Sequence, residues 1–264
     1  ILVPIMAVAY IVIALFIIIM NFNQIPSLFK TIFENAFGIK QVVGGGIGAA
    51  LLQGIKRGLF SNEAGMGSAP NAAATATVSH PVKQGLIQTL GVFTDTLIIC
   101  TSTAFIILLS GVPLDGSVKG IELTQMALVS QVGSWGGTFI SICILLFAFS
   151  SIIGNYYYGE TNIQFITENK VVLYVYRILV AAMVLFGSIA SMDLVWNIAD
   201  VFMGLMAILN LIAIVLLSKI AIKALQDYTA QKKAGKDPGF YASSIPELGD
   251  EVEEWREDEK EAIA

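Results

Sequence analysis

Gly58–Pro70 reads GLFSNEAGMGSAP. Ser61, Asn62 and Glu63 stand in a row, and Gly65 and Gly67 follow at once. The string lies inside Val42–Ser79, which also carries Gly44, Gly45, Gly46, Gly48, Gly54 and Gly58 together with Lys56 and Arg57. An uninterrupted lipid-facing helix describes such a stretch poorly. A hydrophobic segment broken by glycine and polar residues fits better, because non-helical backbone at membrane depth survives only where protein buries it or water reaches it.

The surroundings make the membrane reading general. Of 264 residues, 56% are hydrophobic and 13% are charged, and mean hydropathy is +0.76. A typical soluble domain carries about 25% charged residues. Residues 219–264 hold seven basic and eleven acidic side chains, 18 of the 35 charges. The acidic balance therefore belongs to a tail. These values exclude a soluble enzyme, a nucleic-acid binder, a disordered chain and a disulfide scaffold. Cys100 and Cys143 lie in apolar runs and read as small hydrophobes.

A bilayer core needs about 20 mostly apolar helical residues. Pro4–Met20, Leu86–Leu109, Trp135–Tyr158, Val171–Ile189 and Leu194–Leu217 qualify, and no segment alternates with period two. With the broken segment this makes about six spans within residues 1–223, followed by an acidic tail over 224–264. Asn21–Gln41, with Lys30, Glu34 and Lys40 among apolar residues, reads as an amphipathic interfacial helix. Gly159–Lys170 reads as a short polar connection. Lys219, Lys223, Lys232 and Lys233 follow the last span and place the tail in the cytoplasm. Ile1 already begins an apolar run, so the chain reads as a fragment that lacks its N-terminal part.

The broken segment carries the richest chemistry. Discontinuous membrane helices expose N–H groups to anionic parts of a substrate, and unwound carbonyls to Na+ or an ammonium. Ser61, Asn62 and Glu63 offer polar side chains, and Gly65 and Gly67 permit close approach of a small zwitterion. Glu63 serves either as a partner for a cation or as the cap of a half-helix beginning near Ala64. Gly44 with Gly48, and Gly54 with Gly58, match small-residue helix packing. Ser150 and Ser151 could supply hard oxygen ligands, or could bond back to carbonyls one turn earlier. Asn155 lies four residues beyond Ser151 on the same helical face.

Asp95 is an intramembrane charge and hence a functional candidate, either paired with Lys56 or Arg57 or relaying a proton. Arg177, near a helix end, is expected to snorkel. His80, before Pro81, reads as a turn residue. One histidine and two separated cysteines make no usual zinc site, and no motif calls for an organic cofactor.

GLFSNEAGMGSAPNAAATA, then HPVKQGL at His80–Leu86, GVFTDTLIICTSTAFIILLSG at Gly91–Gly111 and FSSIIGNYYYGE at Phe149–Glu160, closely resemble the alanine/glycine:cation symporter family. The resemblance runs from Ile1 to about Pro246. It implies Na+- or H+-coupled uptake of alanine or glycine across the cell membrane. It also implies an all-α integral membrane protein, the C-terminal half of a LeuT-type inverted-repeat fold. The broken segment would open the second repeat, and an absent N-terminal half would supply partner helices. In that superfamily the eighth helix gives hydroxyls to sodium, which points to Ser150 and Ser151, with Phe147 as a carbonyl donor. Two other classes stay open. One is an intramembrane enzyme using Glu63 and Asp95 as acid and base. The other is a glycine-packed membrane subunit without transport.

Overall fold

Every described element of the computed structural model is helical, as the lack of period-two alternation requires. The structure describes residues 2–37, 46–114, 118, 120–251 and 255. Gly44, Gly45, Lys40 and most of the acidic run beyond Glu251 lie outside them. The chain divides into two compact units, Ile1–Asn62 with Phe93–Ser188, and Glu63–Val92 with Ile189–Ala264.

In the first unit, α1 (Leu2–Met20) stops where the sequence turns polar. The Asn21 side chain donates to the Ile17 carbonyl at 2.9 Å and closes the helix end. The chain then bends by 73° into α2 (Ile25–Phe37), and α3 spans Gly46–Asn62. The unit continues through a π-helical turn, Asp95–Cys100, and α6 (Thr101–Leu108). Next come α7 (Ile121–Val132), α8 (Ser134–Ile166) and α9 (Lys170–Ile189). Its core joins Tyr10, Ala14 and Ile17 of α1 to Ile106, Ala127, Leu128, Ile140 and Cys143, with Ala14 and Leu128 fully buried.

The close glycine packing is at the α7–α8 corner. A Cβ on Gly136 would stand 2.6 Å from Val132 Cγ2 and 3.2 Å from Leu128 Cγ. At Gly54 and Gly58, where the sequence suggested a packing seam, no described atom comes within 4 Å of such a Cβ. Gly136→Ala is therefore expected to lower the thermal unfolding midpoint in detergent. Overpacking of this kind costs about 1–3 kcal/mol. Val132→Ala in the same chain should restore most of the loss, and no recovery would refute the steric account.

Two expected boundaries move. The eighth-helix candidate runs on to Ile166, so the polar stretch Glu160-Thr161-Asn162 is helical and the connection shrinks to Thr167–Asn169. Glu160 is held there by Arg177 of α9, whose guanidinium donates to its carboxylate at 2.5 Å. Arg177 thus pairs across helices and does not merely snorkel.

The second unit holds α4 (Ala69–Ala73), most of α5 (Pro81–Thr94) and α10 (Met192–Lys233). α10 runs 42 residues, 16 beyond the apolar stretch ending at Leu217, because helix-forming Lys, Ala, Leu and Gln residues continue without a breaker. Ser191 caps its start by accepting from the Leu194 N–H, and Lys232 and Lys233 complement its C-terminal dipole. Gly235, at φ 73°, ends it: Lys236 N–H reaches back to the Gln231 carbonyl and Gly235 N–H to that of Lys232, both at 3.0 Å.

Among the described residues, Pro81–Leu108, Ser134–Ile166, Lys170–Ile189 and Met192–Lys233 are long and apolar enough to cross a bilayer. The bent pair Pro4–Met20 with Phe22–Asn35 makes a fifth if counted as one span. α9 and α10 turn large apolar side chains outward, Leu185 at 68% and Leu209 at 70% exposure. In water such faces would be unstable; in lipid they are at home.

Candidate functional site

Helix α3 ends in its polar triplet, and two of the three residues meet the π-helical turn. The Ser61 hydroxyl donates to Asp95 Oδ2 at 2.6 Å, and Asn62 Nδ2 donates to Thr96 Oγ1 at 3.0 Å. Cys100 Sγ lies 3.2 Å from the same Ser61 oxygen. A π turn carries one extra residue and shifts side chains out of α-helical register, and such turns recur at functional sites. Here the shift falls between Asp95 and Cys100, and Thr101 Oγ1 bonds to the Thr96 carbonyl at 3.3 Å.

Asp95 is half-buried and lines a cavity of about 440 Å³ with Tyr10, Thr103, Thr124, Phe147 and Ser151. The volume suits a small ligand. Tyr10 and Thr103 share a hydroxyl–hydroxyl hydrogen bond of 2.8 Å. One carboxylate and several hydroxyls thus converge inside an apolar helix cluster. An ionised group there is costly unless it is paired or coordinates a cation.

The structure brings three candidates, Asp95, Phe147 and Ser151, to that one cavity. Ser150 is not among its lining residues. Its hydroxyl donates to the Phe147 carbonyl at 2.9 Å, the backbone-bonding alternative weighed above. Asn155 Nδ2 likewise donates to the Ser151 carbonyl at 2.9 Å. It lines a separate groove with Ser151, Tyr156 and Tyr176. Tyr10, Thr103 and Thr124 were not read from the sequence. Thr103 lies eight residues after Asp95, about two turns, and could have been inferred from helical spacing. Tyr10, inside an apolar run, carried no such signal.

The remaining candidates belong to the second unit. Glu63 takes φ 55°, and Gly65 and Gly67 take 82° and 97°. A non-glycine residue at positive φ is uncommon and signals a local constraint. The constraint is visible: Ser68 Oγ donates to Glu63 Oε2 at 2.6 Å, and Met66 N–H returns to the Glu63 carbonyl at 3.2 Å. Met66 and Ser68 are buried. The half-helix begins at Ala69, not near Ala64, and is five residues long. Gly67 lies against α10, where a Cβ would stand 3.1 Å from Asn210 Cβ. The positive φ favours glycine, and a Cβ there would also crowd Asn210.

His80 does precede Pro81 in a turn, yet it is fully enclosed and its Nδ1 accepts from the Val82 N–H at 3.1 Å. Its other partner, Asp227, lies 147 residues away, which no local reading reaches.

The model of the sodium:alanine symporter family matches residues 1–242. The probable sodium/glutamine symporter GlnT of Bacillus subtilis (strain 168) is 62% identical over 239 residues, covering 90% of this chain and 50% of that protein. The amino-acid carrier protein AlsT of the same organism is 58% identical over 260 residues, covering 98% and 55%. The sodium/alanine symporter AgcS of Methanococcus maripaludis is 40% identical over 236 residues, covering 88% and 52%. The chain spans about half the length of these curated relatives. With a match over all but its last 22 residues, the chain belongs to the sodium:alanine symporter family.

Proposed function

We propose that this chain is part of a secondary transporter that couples Na+ entry to uptake of a small amino acid by alternating access. The observation that carries the reading is the cavity where Asp95, Thr103, Thr124 and Ser151 converge within apolar helices. A carboxylate with hydroxyls suits a small hard cation or a substrate ammonium. Family membership supplies the sodium reading, and the names of relatives supply alanine and glutamine as substrates to test beside glycine.

The architecture that goes with this function is the C-terminal half of an inverted-repeat fold with about six spans in residues 1–223. The helix stop at Asn62, the Glu63–Ser68 turn and the restart at Ala69 act as the broken helix. The partner repeat comes from an N-terminal half, and residues 224–264 face the cytoplasm in the cell membrane. Cation binding favours the state that accepts substrate, and substrate binding then permits occlusion. The coupling is a difference in affinity between states.

Ser151 is the proposed hydroxyl ligand of the cation, with Ser150 holding the Phe147 carbonyl in place. Labelled alanine, glycine and glutamine uptake by the whole protein in proteoliposomes, with Na+ or K+ outside, tests the scheme. Ser151→Ala is expected to raise the half-saturating Na+ concentration about tenfold, one hydrogen-bond-sized contribution to a charged group. Uptake indifferent to Na+ but driven by a pH gradient would remove the sodium claim and leave Asp95 as the coupling group. Absence of uptake for all three amino acids would remove the substrate class.

A further inference from the structure

The segment after α10 folds back onto the start of α5. The Ser79 hydroxyl donates to the Pro238 carbonyl, and the Phe240 N–H donates to the Ser79 carbonyl, both at 2.9 Å. Gln231 bonds Gly239 twice, giving its amide N–H to the carbonyl at 2.8 Å and accepting the Gly239 N–H at 3.0 Å. Pro238 is fully buried, and Phe240 and Ile245 are buried against Ala224. His80 stands between the rings of Tyr228 and Phe240, each centroid 5.1 Å away. Because its Nδ1 accepts from Val82, its Nε2 carries the proton toward Asp227 Oδ2 at 3.3 Å.

Ion pairs complete the attachment. Lys83 reaches Asp237 at 2.8 Å and holds that carboxyl below the usual carboxylate range; Lys223 pairs with Glu247. Both pairs are exposed enough to contribute little to stability. A segment held by a small core and weak surface pairs can undock without unfolding the helices beneath it. It also reaches the glycine turn. Ala242 N–H donates to the Trp255 carbonyl at 2.9 Å, and the indole meets Phe240 edge-on at 5.7 Å. Trp255 lines a cavity of about 680 Å³ together with Glu63, Gly65, Gln88 and Asn210.

We infer that residues 236–248 and Trp255 form an intramolecular strap that sets the transport rate. Docked on the Ser79–Lys83 turn, the strap keeps a bulky indole beside the strained Glu63–Gly67 turn and restrains its movement. Undocking frees that cavity. The rate-setting role rests on the transport reading above; the docking does not.

Two measurements on the whole protein separate them. Amide hydrogen exchange reads the docking directly at Gly239, Phe240 and Ala242. These amides are expected to exchange at least about tenfold more slowly than in Phe240→Ala, which removes the buried anchor. Equal rates in the two proteins overturn the strap. Trp255→Ala keeps Phe240, Ile245 and the carbonyl at 255 and removes only the indole packed on the Phe240 ring, so it tests function even if Phe240→Ala folds poorly. It is expected to raise the maximal uptake rate at least about threefold at unchanged half-saturating Na+ and substrate. An unchanged or lower maximal rate, with docking intact by exchange, overturns the rate-setting role. Slow exchange in a protein that transports no amino acid keeps the docking and overturns both transport and rate control.

Discussion

Asp95→Asn is expected to abolish most sodium-driven uptake while leaving the protein folded. Asp95 opens the π-helical turn, lines the cavity with Thr103, Thr124 and Ser151, and accepts from Ser61 at 2.6 Å. That distance is a short, well-formed hydroxyl hydrogen bond. Asparagine keeps the size and can still accept from Ser61 through its carbonyl oxygen. What it removes is the negative charge. An interaction with a charged partner is worth about 1.5–3 kcal/mol, so uptake at limiting Na+ should fall roughly tenfold to a hundredfold. The unfolding midpoint in detergent should move little, because the local hydrogen bond survives. Ser61→Ala, alone and combined with Asp95→Asn, completes a double-mutant cycle that isolates their coupling. Wild-type Na+ dependence in Asp95→Asn would mean that the carboxylate only shapes the turn.

Gly67→Val has the other large effect, and it acts on stability as well as transport. A β-branched residue at φ 97° is strained by about 1–3 kcal/mol. Its Cβ would also stand 3.1 Å from Asn210 Cβ, an overpacking cost of similar size. The two terms differ in cause and can be separated. Asn210→Gly, which removes the crowding Cβ, should relieve the steric term and leave the dihedral term when compared with Asn210→Gly alone. The single variant is thus expected to lose several degrees of thermal midpoint in detergent and most of its uptake, and the double variant to recover part of the stability. Full recovery would assign the whole effect to Asn210, and no recovery would assign it to the backbone.

Much of this molecule was set by the order of its residues. Apolar runs of helical length, without period-two alternation, fix an all-helical membrane protein, because only internally bonded backbone survives in lipid. The glycines of GLFSNEAGMGSAP pointed to irregular backbone, and the structure places Glu63, Gly65 and Gly67 at positive φ just past the helix end at Asn62. Asp95 stood out as a charge in an apolar run. Tertiary structure decided the rest, because it depends on residues far apart in sequence. Tyr10 meets Thr103 across 93 positions and His80 meets Asp227 across 147. The π turn that aims Asp95 at Ser61 has no local signature, and Ser150 and Asn155 spend their side-chain donors on their own helix. The tail looked merely acidic and polar. Its docking on the Ser79–Lys83 turn follows from a few buried side chains, Pro238, Phe240 and Ile245, whose partners composition alone cannot name.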